Sequence, residues 1–314
     1  MVYNMGSQND PNNITFFIDL PLDELLSMAD RARRAGVGAD IELCGIVNAK
    51  SGACSEDCRF CAQSAHHSSD IGTYPLMSPD EIYEAAREAE ENGAARFGIV
   101  TSGNRMTPGE VETIAFAIRR IKKDLRILPC ASLGALDKAS FDILREAGLV
   151  RYHHNIETSE GYYSRIVTTH DYSERINTVK AAKKAGLEVC SGGIIGLGES
   201  WQDRIDMALL LKELDVDSVP LNFLIPVEGT PLEDVEMISP EDALRTIAMF
   251  RMTLPDKTIK VAAGREAVLE DRQDMIYAAG ANGMMIGGYL TVAGRSVEDD
   301  LALTESVKEL WIRG

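Results

Sequence analysis

The sequence predicts an α/β protein, and more specifically a (β/α)8 TIM-type barrel with an N-terminal capping helix. Two observations lead to this prediction. From about residue 39 onward the chain repeats one unit, in which a short apolar strand, a turn and an amphipathic helix follow one another, eight times. Eight is also the number of strands that closes such a barrel. An open, doubly wound sheet is the alternative interpretation of the same alternation.

The individual elements follow from local patterns. The strand candidates are short runs rich in apolar residues: 41–47, 96–101, 126–131, 150–157, 188–195, 218–225, 258–263 and 284–287. The helix candidates carry apolar residues at helical spacing: 79–92, 108–123, 137–147, 173–185, 200–213, 239–252, 266–279 and 297–312. Ser78 and Glu81 flank a proline in a capping-box pattern, which fits the start of the first of these helices.

The chain shows no internal linker or break in composition. We therefore divide it only into a tail with a capping helix, residues 1–38, and a barrel, residues 39–314. Within the first part, the stretch from Leu20 to Arg34 has apolar residues at helical spacing and ends before Gly36.

The composition excludes several classes of protein. The net charge is −17 at pH 7, which argues against non-specific binding to nucleic acid. No apolar run reaches the roughly 18 residues of a membrane-spanning helix. The first residues lack the pattern of a secretory signal, and three of the six cysteines are clustered. We expect a cytoplasmic protein without a membrane partner.

The most informative stretch is the loop after the first strand, where Cys54, Cys58 and Cys61 follow a C-x3-C-x2-C pattern. Three neighbouring thiols cannot all pair into disulfides. They can hold three corners of a [4Fe–4S] cluster and leave one iron open for a substrate or cofactor. This spacing is the signature of radical S-adenosylmethionine (SAM) enzymes. A zinc loop is the alternative, with His66 or His67 as candidate fourth ligand.

Polar residues collect where the predicted strands end, which is the catalytic face of a TIM-type barrel. They are Ser102, Cys130, His153, Asn155, Glu157, Cys190, Asn222 and Arg265. A single buried cysteine usually only fills the core. The common location of these residues at one end of one barrel is what predicts a site.

At these residues the sequence resembles the biotin synthase family, from about residue 20 to 312. The segments that carry the resemblance are Ser51 to Ser64, His154 to Ser159, Cys190 to Glu199, Val219 to Asn222, Gly229 to Leu232 and Ala263 to Glu266. The resemblance implies insertion of sulfur into dethiobiotin, with a [4Fe–4S] cluster, SAM and an auxiliary iron–sulfur cluster as sulfur donor. It also implies a homodimer and a flavodoxin or ferredoxin as electron donor.

The resemblance also implies roles for single residues. Glu157 would bind the SAM ribose, Asn155 would lie between SAM and substrate, and Asn222 would bind the ureido ring. The SAM side would include Phe60 through its backbone, Ser102, and the glycines Gly192 and Gly193. The substrate side would add His153 and Thr291, and Arg265 would act with the two asparagines in catalysis. Alternatively, both asparagines are buried polar residues satisfied by neighbours, and the glycines form a tight turn.

One departure from the family concerns the auxiliary cluster. Cys130, Cys190 and Arg265 match three of its usual positions, but Gly98 stands where the family carries the remaining cysteine. We expect Cys44, the one unassigned thiol, to replace it. The resulting cluster would be a [2Fe–2S] cluster or a larger cubane type bearing an extra sulfide. The alternative is that Cys44 is a core thiol and the auxiliary cluster is lost.

A second departure is His153, where many family members carry another substrate-side asparagine. Together with Gly98 it keeps an alternative function open. That alternative is another radical SAM enzyme of the same scaffold, either a lipoyl-type sulfur inserter or a hydrogenase-cofactor maturase.

Overall fold

The computed structural model describes residues 17, 19–290 and 294–313, and it confirms the barrel. All pairings between its strands are parallel. The strands form one sheet, which the pairing of Cys190 with Ser218 closes. Because Glu188–Cys190 and Gly193–Ile195 are two parts of one barrel strand, the described sheet is a closed barrel of eight strands, not an open one.

The strands lie close to their predicted positions. In chain order, β1 to β9 are Glu42–Lys50, Arg96–Thr101, Leu128–Ser132, Arg151–His153, Glu188–Cys190, Gly193–Ile195, Ser218–Phe223, Thr258–Val261 and Gly283–Met285. They lie in the sheet in the order β5-β4-β3-β2-β1-β9-β8-β7-β6, and β5 also pairs with β7. The apolar residues on their outer faces pack against the surrounding helices, and this layer forms the hydrophobic core.

The helices α1 to α11 alternate with the strands. They are Leu22–Gly36, Pro79–Glu91, Pro108–Asp124, Lys138–Ala147, Glu160–Tyr163, Tyr172–Lys184, Trp201–Glu213, Pro240–Thr253, Arg265–Leu269, Met275–Ala278 and Val297–Arg313. The predicted capping box at Ser78 and Glu81 is present at the start of α2. No described helix is long and apolar enough to cross a membrane.

Three elements differ from the prediction. The fourth strand ends at His153, not at 157, and Glu157 itself has a φ of 69° that an extended strand does not allow. The fifth strand is interrupted between Cys190 and Gly193. The helix predicted over 266–279 consists of two short helices, since Glu270 between them has a φ of 52°.

Helix α1 lies on the outside of the barrel, where it packs against α8 and α10. The contact at its end is close, because a Cβ on Gly36 would lie 1.8 Å from the carbonyl oxygen of Pro255. The buried Arg33 guanidinium stacks on the ring of Trp311 in α11. The N-terminal helix is therefore joined to the last helices of the chain.

Candidate active site

A cavity of about 400 Å³ lies at the carboxyl ends of the strands, and we call it the main cavity. It brings together residues that are far apart in sequence. Among those that line it are Cys54, Cys58, His153, Asn155, Glu157, Arg175, Asn222 and Tyr289. The structure thus brings six sequence-predicted site residues around one space, at the end of the barrel where chemistry is expected: Cys54, Cys58, His153, Asn155, Glu157 and Asn222.

The cysteine loop lies at the rim of this cavity and is held by its own backbone. The amide of Cys61 donates to the carbonyl of Cys58 at 2.9 Å, and the amide of Cys54 donates to Gln63 at 3.0 Å. Burial raises the pKa of Cys61 to about 11 and also raises the pKa of Cys58. A bound cation would have to hold these thiols as thiolates near neutral pH.

The structure bears on the zinc alternative for this loop. The ring of His66 lies 2.9 Å from the carbonyl oxygen of Ser55, and the ring of His67 lies 2.9 Å from that of Cys61. Both histidines thus bind the backbone. In the described part of the chain, no group of three or more His, Cys, Asp or Glu side chains is arranged to hold a single metal ion. Three thiols without a fourth protein ligand fit an open-cornered [4Fe–4S] cluster.

Acidic residues inside the same loop attach it to the segment before α6, a contact that sequence reasoning missed. Glu56 Oε2 lies 2.6 Å from His170 Nδ1, and Asp57 accepts hydrogen bonds from the amides of Thr168 and Thr169. Burial acts to raise the pKa of Asp57, but the hydrogen bonds from the two threonines lower it to about 2. The carboxylates therefore fix where the three thiols lie.

The polar wall of the main cavity is built around Glu157. Its carboxylate is buried, which raises its pKa even though Arg175 lies 3.4 Å away. Arg175 also donates to the backbone oxygen of Asn155 at 3.0 Å and to the hydroxyl of Tyr163 at 2.8 Å. Sequence reasoning missed Arg175, because it lies within α6 and not at the end of a strand.

Both predicted asparagines line the main cavity, but their amides also bind the backbone. Asn155 accepts from the amide of Gly192 at 3.2 Å. Asn222 donates to the carbonyl of Gly193 at 3.2 Å and accepts from the amide of Ala263 at 3.2 Å. These bonds fix the orientation of both side chains and use part of their hydrogen-bonding capacity.

The two glycines serve close packing between strands. A Cβ on Gly192 would lie 2.0 Å from the carbonyl oxygen of Pro220, and one on Gly193 would lie 2.2 Å from that of Glu157. Neither glycine lines the main cavity. In this structure both glycines allow the chain to approach its neighbours closely, and their contact with SAM stays a prediction.

Three further predicted residues either do not line the main cavity or are not among the residues that the structure describes. Phe60 is half-buried and packs against the core. Ser102 lines a separate cavity of about 260 Å³, and its hydroxyl donates to the carbonyl of Gly52 at 2.8 Å. Thr291 lies outside the described residues.

A second, smaller cavity of about 20 Å³ lies deeper in the barrel, and we call it the thiol cavity. It is lined by the three buried thiols of Cys44, Cys130 and Cys190. The two cavities share four lining residues: Ile46, His153, Pro220 and Met285. His153 thus lies at the boundary between them, and its Nε2 is buried without a hydrogen-bond partner among the described residues.

The strand register explains why a thiol fits at position 44. Ile46 pairs with Gly98, so the space beside the glycine is filled by an isoleucine side chain. A Cβ on Gly98 would lie 3.1 Å from Ile46 Cγ2. Cys44 points to the same side of β1 as Ile46, because side chains two residues apart share a face. The thiol is therefore one layer deeper than a residue at position 98 would be.

A cation beside these thiols is Lys260, and the proximity of Arg265 to the auxiliary cluster stays a prediction. Lys260 lines the thiol cavity, and its Nζ lies 2.9 Å from Cys44 Sγ. Arg265 lies beyond the end of β8, as the first residue of α9, and its guanidinium binds Asp300, Gln273 and Tyr289. Arg265 does not line the thiol cavity.

The donor set of the thiol cavity fits an iron–sulfur cluster in chemistry, with three thiols and an unpartnered imidazole nitrogen. Its volume is that of about one water molecule. Binding a cluster would therefore require the side chains shared with the main cavity to move apart. Burial raises the pKa of the Cys44 thiol, while the ammonium of Lys260 acts to lower it.

Comparison with known proteins agrees with this geometry. Residues 49–211 match the Radical SAM superfamily, and residues 220–308 match the Biotin and Thiamin Synthesis associated domain. The chain is similar to the biotin synthase of Citrifermentans bemidjiense, with 52% identity over 89% of this chain and 85% of the relative. It is also similar to that of Thermotoga petrophila, with 50% identity over 93% of this chain and 99% of the relative.

Solved structures support the same fold. A methylornithine synthase superposes with a TM-score of 0.82 at 22% identity, covering 96% of this chain and 93% of that chain. The FeFe-hydrogenase maturase HydG from Carboxydothermus hydrogenoformans superposes with a TM-score of 0.80 at 17% identity, covering 95% and 74%. At these identities the likeness concerns the barrel alone.

Proposed function

The chain belongs to the biotin synthase family, and from this premise we propose that Cys44, Cys130 and Cys190 hold the auxiliary cluster that donates sulfur to dethiobiotin. The enzyme is a radical SAM sulfur-inserting enzyme that converts dethiobiotin to biotin, and its family implies a [4Fe–4S] cluster and SAM. No finding favours the lipoyl-type or maturase alternative.

One observation carries the proposal for the auxiliary site. Three buried thiols surround one cavity, and that cavity lies directly beneath the space where SAM and substrate would bind. When bound, the [4Fe–4S] cluster supplies an electron for SAM cleavage, and the auxiliary cluster supplies the sulfur atom. The chain's own residues position these groups and exclude water.

The residues of the main cavity divide between the two small molecules. We assign Glu157, Arg175 and Asn155 to SAM, because they form one buried, hydrogen-bonded group near Cys58. We assign Asn222 and His153 to dethiobiotin, because His153 lines both cavities and Asn222 lies two residues along β7 from Pro220, which also lines both. In this arrangement the substrate lies between SAM and the sulfur source, which sulfur insertion requires.

Lys260 and its neighbours give the thiol site its charge. Lys260 Nζ lies 3.0 Å from Glu42 Oε1 as well as 2.9 Å from Cys44 Sγ, and the side chain is 1% exposed. A buried ammonium favours the thiolate form of an adjacent cysteine. We propose that Lys260 is a cation beside the auxiliary cluster, a position that the sequence led us to expect for Arg265.

The number of iron atoms in the auxiliary cluster is also part of the proposal. Moving one thiol from β2 to β1 changes the spacing of the donors, and Lys260 is placed as a cation beside them, not as a ligand. A cubane type with an extra sulfide on its open iron fits three thiolates better than a [2Fe–2S] cluster, which takes four ligands. The homodimer, the cytoplasmic location and the flavodoxin or ferredoxin donor also stay predictions.

Two measurements test the proposal. Anaerobic incubation with dethiobiotin, SAM and a reductant should yield biotin. The Cys44→Ser variant should lose most auxiliary iron and sulfide and stop sulfur insertion, yet still cleave SAM, because a hydroxyl replaces a thiolate poorly on iron. Iron and sulfide analysis with Mössbauer spectra decides the matter.

The matched control is Met285→Leu, which alters the same cavity wall at nearly constant volume and removes no thiol. It should keep both clusters. A full complement of both clusters in Cys44→Ser would show that Cys44 only fills the core.

A further inference from the structure

The amino-terminal mouth of the barrel is closed by five charged side chains, which we call the charged layer: Glu42, Arg96, Arg151, Glu188 and Lys260. Four of them are the first residues of β1, β2, β4 and β5. Two residues further along those strands lie Cys44, Gly98, His153 and Cys190, all of which line the thiol cavity. The charged layer is therefore the next layer below the thiols.

The charged layer is held together by short ion pairs. Glu42 binds Arg96 at 2.5 Å, Arg151 at 2.7 Å and Lys260 at 3.0 Å. Glu188 binds the same two arginines, at 3.0 Å and 2.8 Å. The amino end of a TIM-type barrel core is usually filled by branched apolar side chains, and buried charges are costly to desolvate. Packing alone therefore does not account for this composition.

Two properties suit the layer to an anion. It holds three cations against two carboxylates, so its net charge is positive although the whole chain is strongly acidic. In addition, Arg96 Nη1 is buried and has no hydrogen-bond partner among the described residues. Arg96 also lines the thiol cavity. A guanidinium donor thus stands free beside the thiols.

Exposure falls stepwise from solvent to the thiols. The Glu188 side chain is 37% exposed, that of Arg96 11% and that of Lys260 1%. Within the part of the chain that the structure describes, one layer of side chains separates the thiol cavity from solvent at this end. At the other end lies the main cavity, which SAM and substrate fill during the reaction.

We propose that the charged layer is an anion gate, which admits hydrosulfide from the amino end of the barrel to the thiol site. The inference rests on the proposed function, in which the auxiliary cluster gives up sulfur and must receive it again. Exchange of ion-pair partners by Arg96 and Arg151 opens the layer without unfolding a strand. Resupply then does not require SAM or substrate to leave.

The test measures incorporation of radiolabelled sulfide, not activity. Full-length enzyme that has completed one turnover is separated from the reductant and supplied anaerobically with ferrous iron and labelled sulfide. The uptake rate is measured with the main cavity empty and with SAM and dethiobiotin bound. We expect the two rates to be equal. Uptake that stops when the main cavity is filled would overturn the gate.

Two variants of the layer separate a gate from a structural plug. Glu188→Gln raises the charge of the layer by one, and we expect faster uptake, by roughly ten-fold. Arg96→Gln removes the free donor and one positive charge, and we expect slower uptake. A layer that only plugs the barrel would be loosened by both changes, and uptake would then rise in both variants or in neither.

The matched control at the opposite mouth is Glu174→Gln. The carboxylate of Glu174 accepts hydrogen bonds from Asn104 and Arg105 at 2.6 Å each. The substitution should leave uptake unchanged, and faster uptake in this variant would place the entrance at the carboxyl end. The Cys44→Ser variant sets the background from the other cluster. If it takes up as much sulfide as the unmodified enzyme, the proposed auxiliary site itself fails; if only the gate variants behave unexpectedly, the gate alone fails.

Discussion

Replacing Arg265 by methionine tests whether this residue supports the fold or the auxiliary cluster. The guanidinium is fully buried, and its Nη2 lies 2.7 Å from Oδ1 of Asp300, whose side chain is also fully buried. The pair joins α9 to α11. The variant would leave the Asp300 carboxylate buried with only the guanidinium of Arg295, 3.9 Å away.

The expected magnitude follows from this burial. Removing one partner of a buried ion pair destabilises a protein by about 3–5 kcal/mol, because the remaining charge is left uncompensated. Replacing both partners by apolar residues is often neutral. We therefore expect Arg265→Met to lower the free energy of unfolding by about 3–5 kcal/mol, and the double variant Arg265→Met/Asp300→Leu to recover most of that loss.

The assay is urea unfolding of the metal-free protein, followed by circular dichroism. Arg295→Met serves as the control, since it removes the more distant and partly exposed guanidinium, and it should cost less than about 1 kcal/mol. The reasoning is refuted if Arg265→Met leaves the urea midpoint of the metal-free protein unchanged and instead lowers the iron content of the auxiliary site.

Three further predictions concern the main cavity. Cys54→Ala, Cys58→Ala or Cys61→Ala should abolish reductive SAM cleavage with an unchanged circular dichroism spectrum, and full deoxyadenosine production by any of them would contradict the cluster assignment. Asn222→Ala should weaken dethiobiotin binding by about 1–3 kcal/mol in equilibrium dialysis while SAM cleavage without substrate persists; unchanged affinity would argue against the assigned substrate contact. Glu157→Ala should weaken SAM binding by roughly 1.5–3 kcal/mol in calorimetry, since a buried carboxylate is lost, and equal SAM affinity would limit Glu157 to its ion pair with Arg175.

Much of the fold could be predicted because its signals are local. Alternating apolar runs and capping residues identified each barrel strand and most helices to within a few residues. The misses have local causes that no pattern reveals, such as the positive φ of Glu157 and Glu270, which depend on contacts made by the folded chain. Glutamate rarely adopts a positive φ, so the residue type at these two positions did not indicate one.

The candidate site was predictable where it follows a motif and not where it follows strand register. The cysteine loop, Asn155, Glu157 and Asn222 could be found, since each lies in a segment with a recognisable pattern. Lys260 and the charged layer could not, because their proximity arises only when β1, β2, β4, β5 and β8 are aligned. The side-chain partners of Arg265, which are Asp300, Gln273 and Tyr289, could not be predicted either, because they meet only in the folded chain.

The neighbouring pair Ile46 and Gly98 shows how sequence and strand register combine. Sequence alone showed a missing thiol on β2 and a surplus thiol on β1, which could equally have meant a lost cluster. The register adds that Ile46 occupies the space beside Gly98, so a side chain at 98 would crowd it. The glycine and the isoleucine compensate each other in volume, and the thiol lies one layer deeper, next to Lys260. A simple loss of the cluster would need neither the compensation nor a buried lysine at that depth, whereas a relocated site needs both.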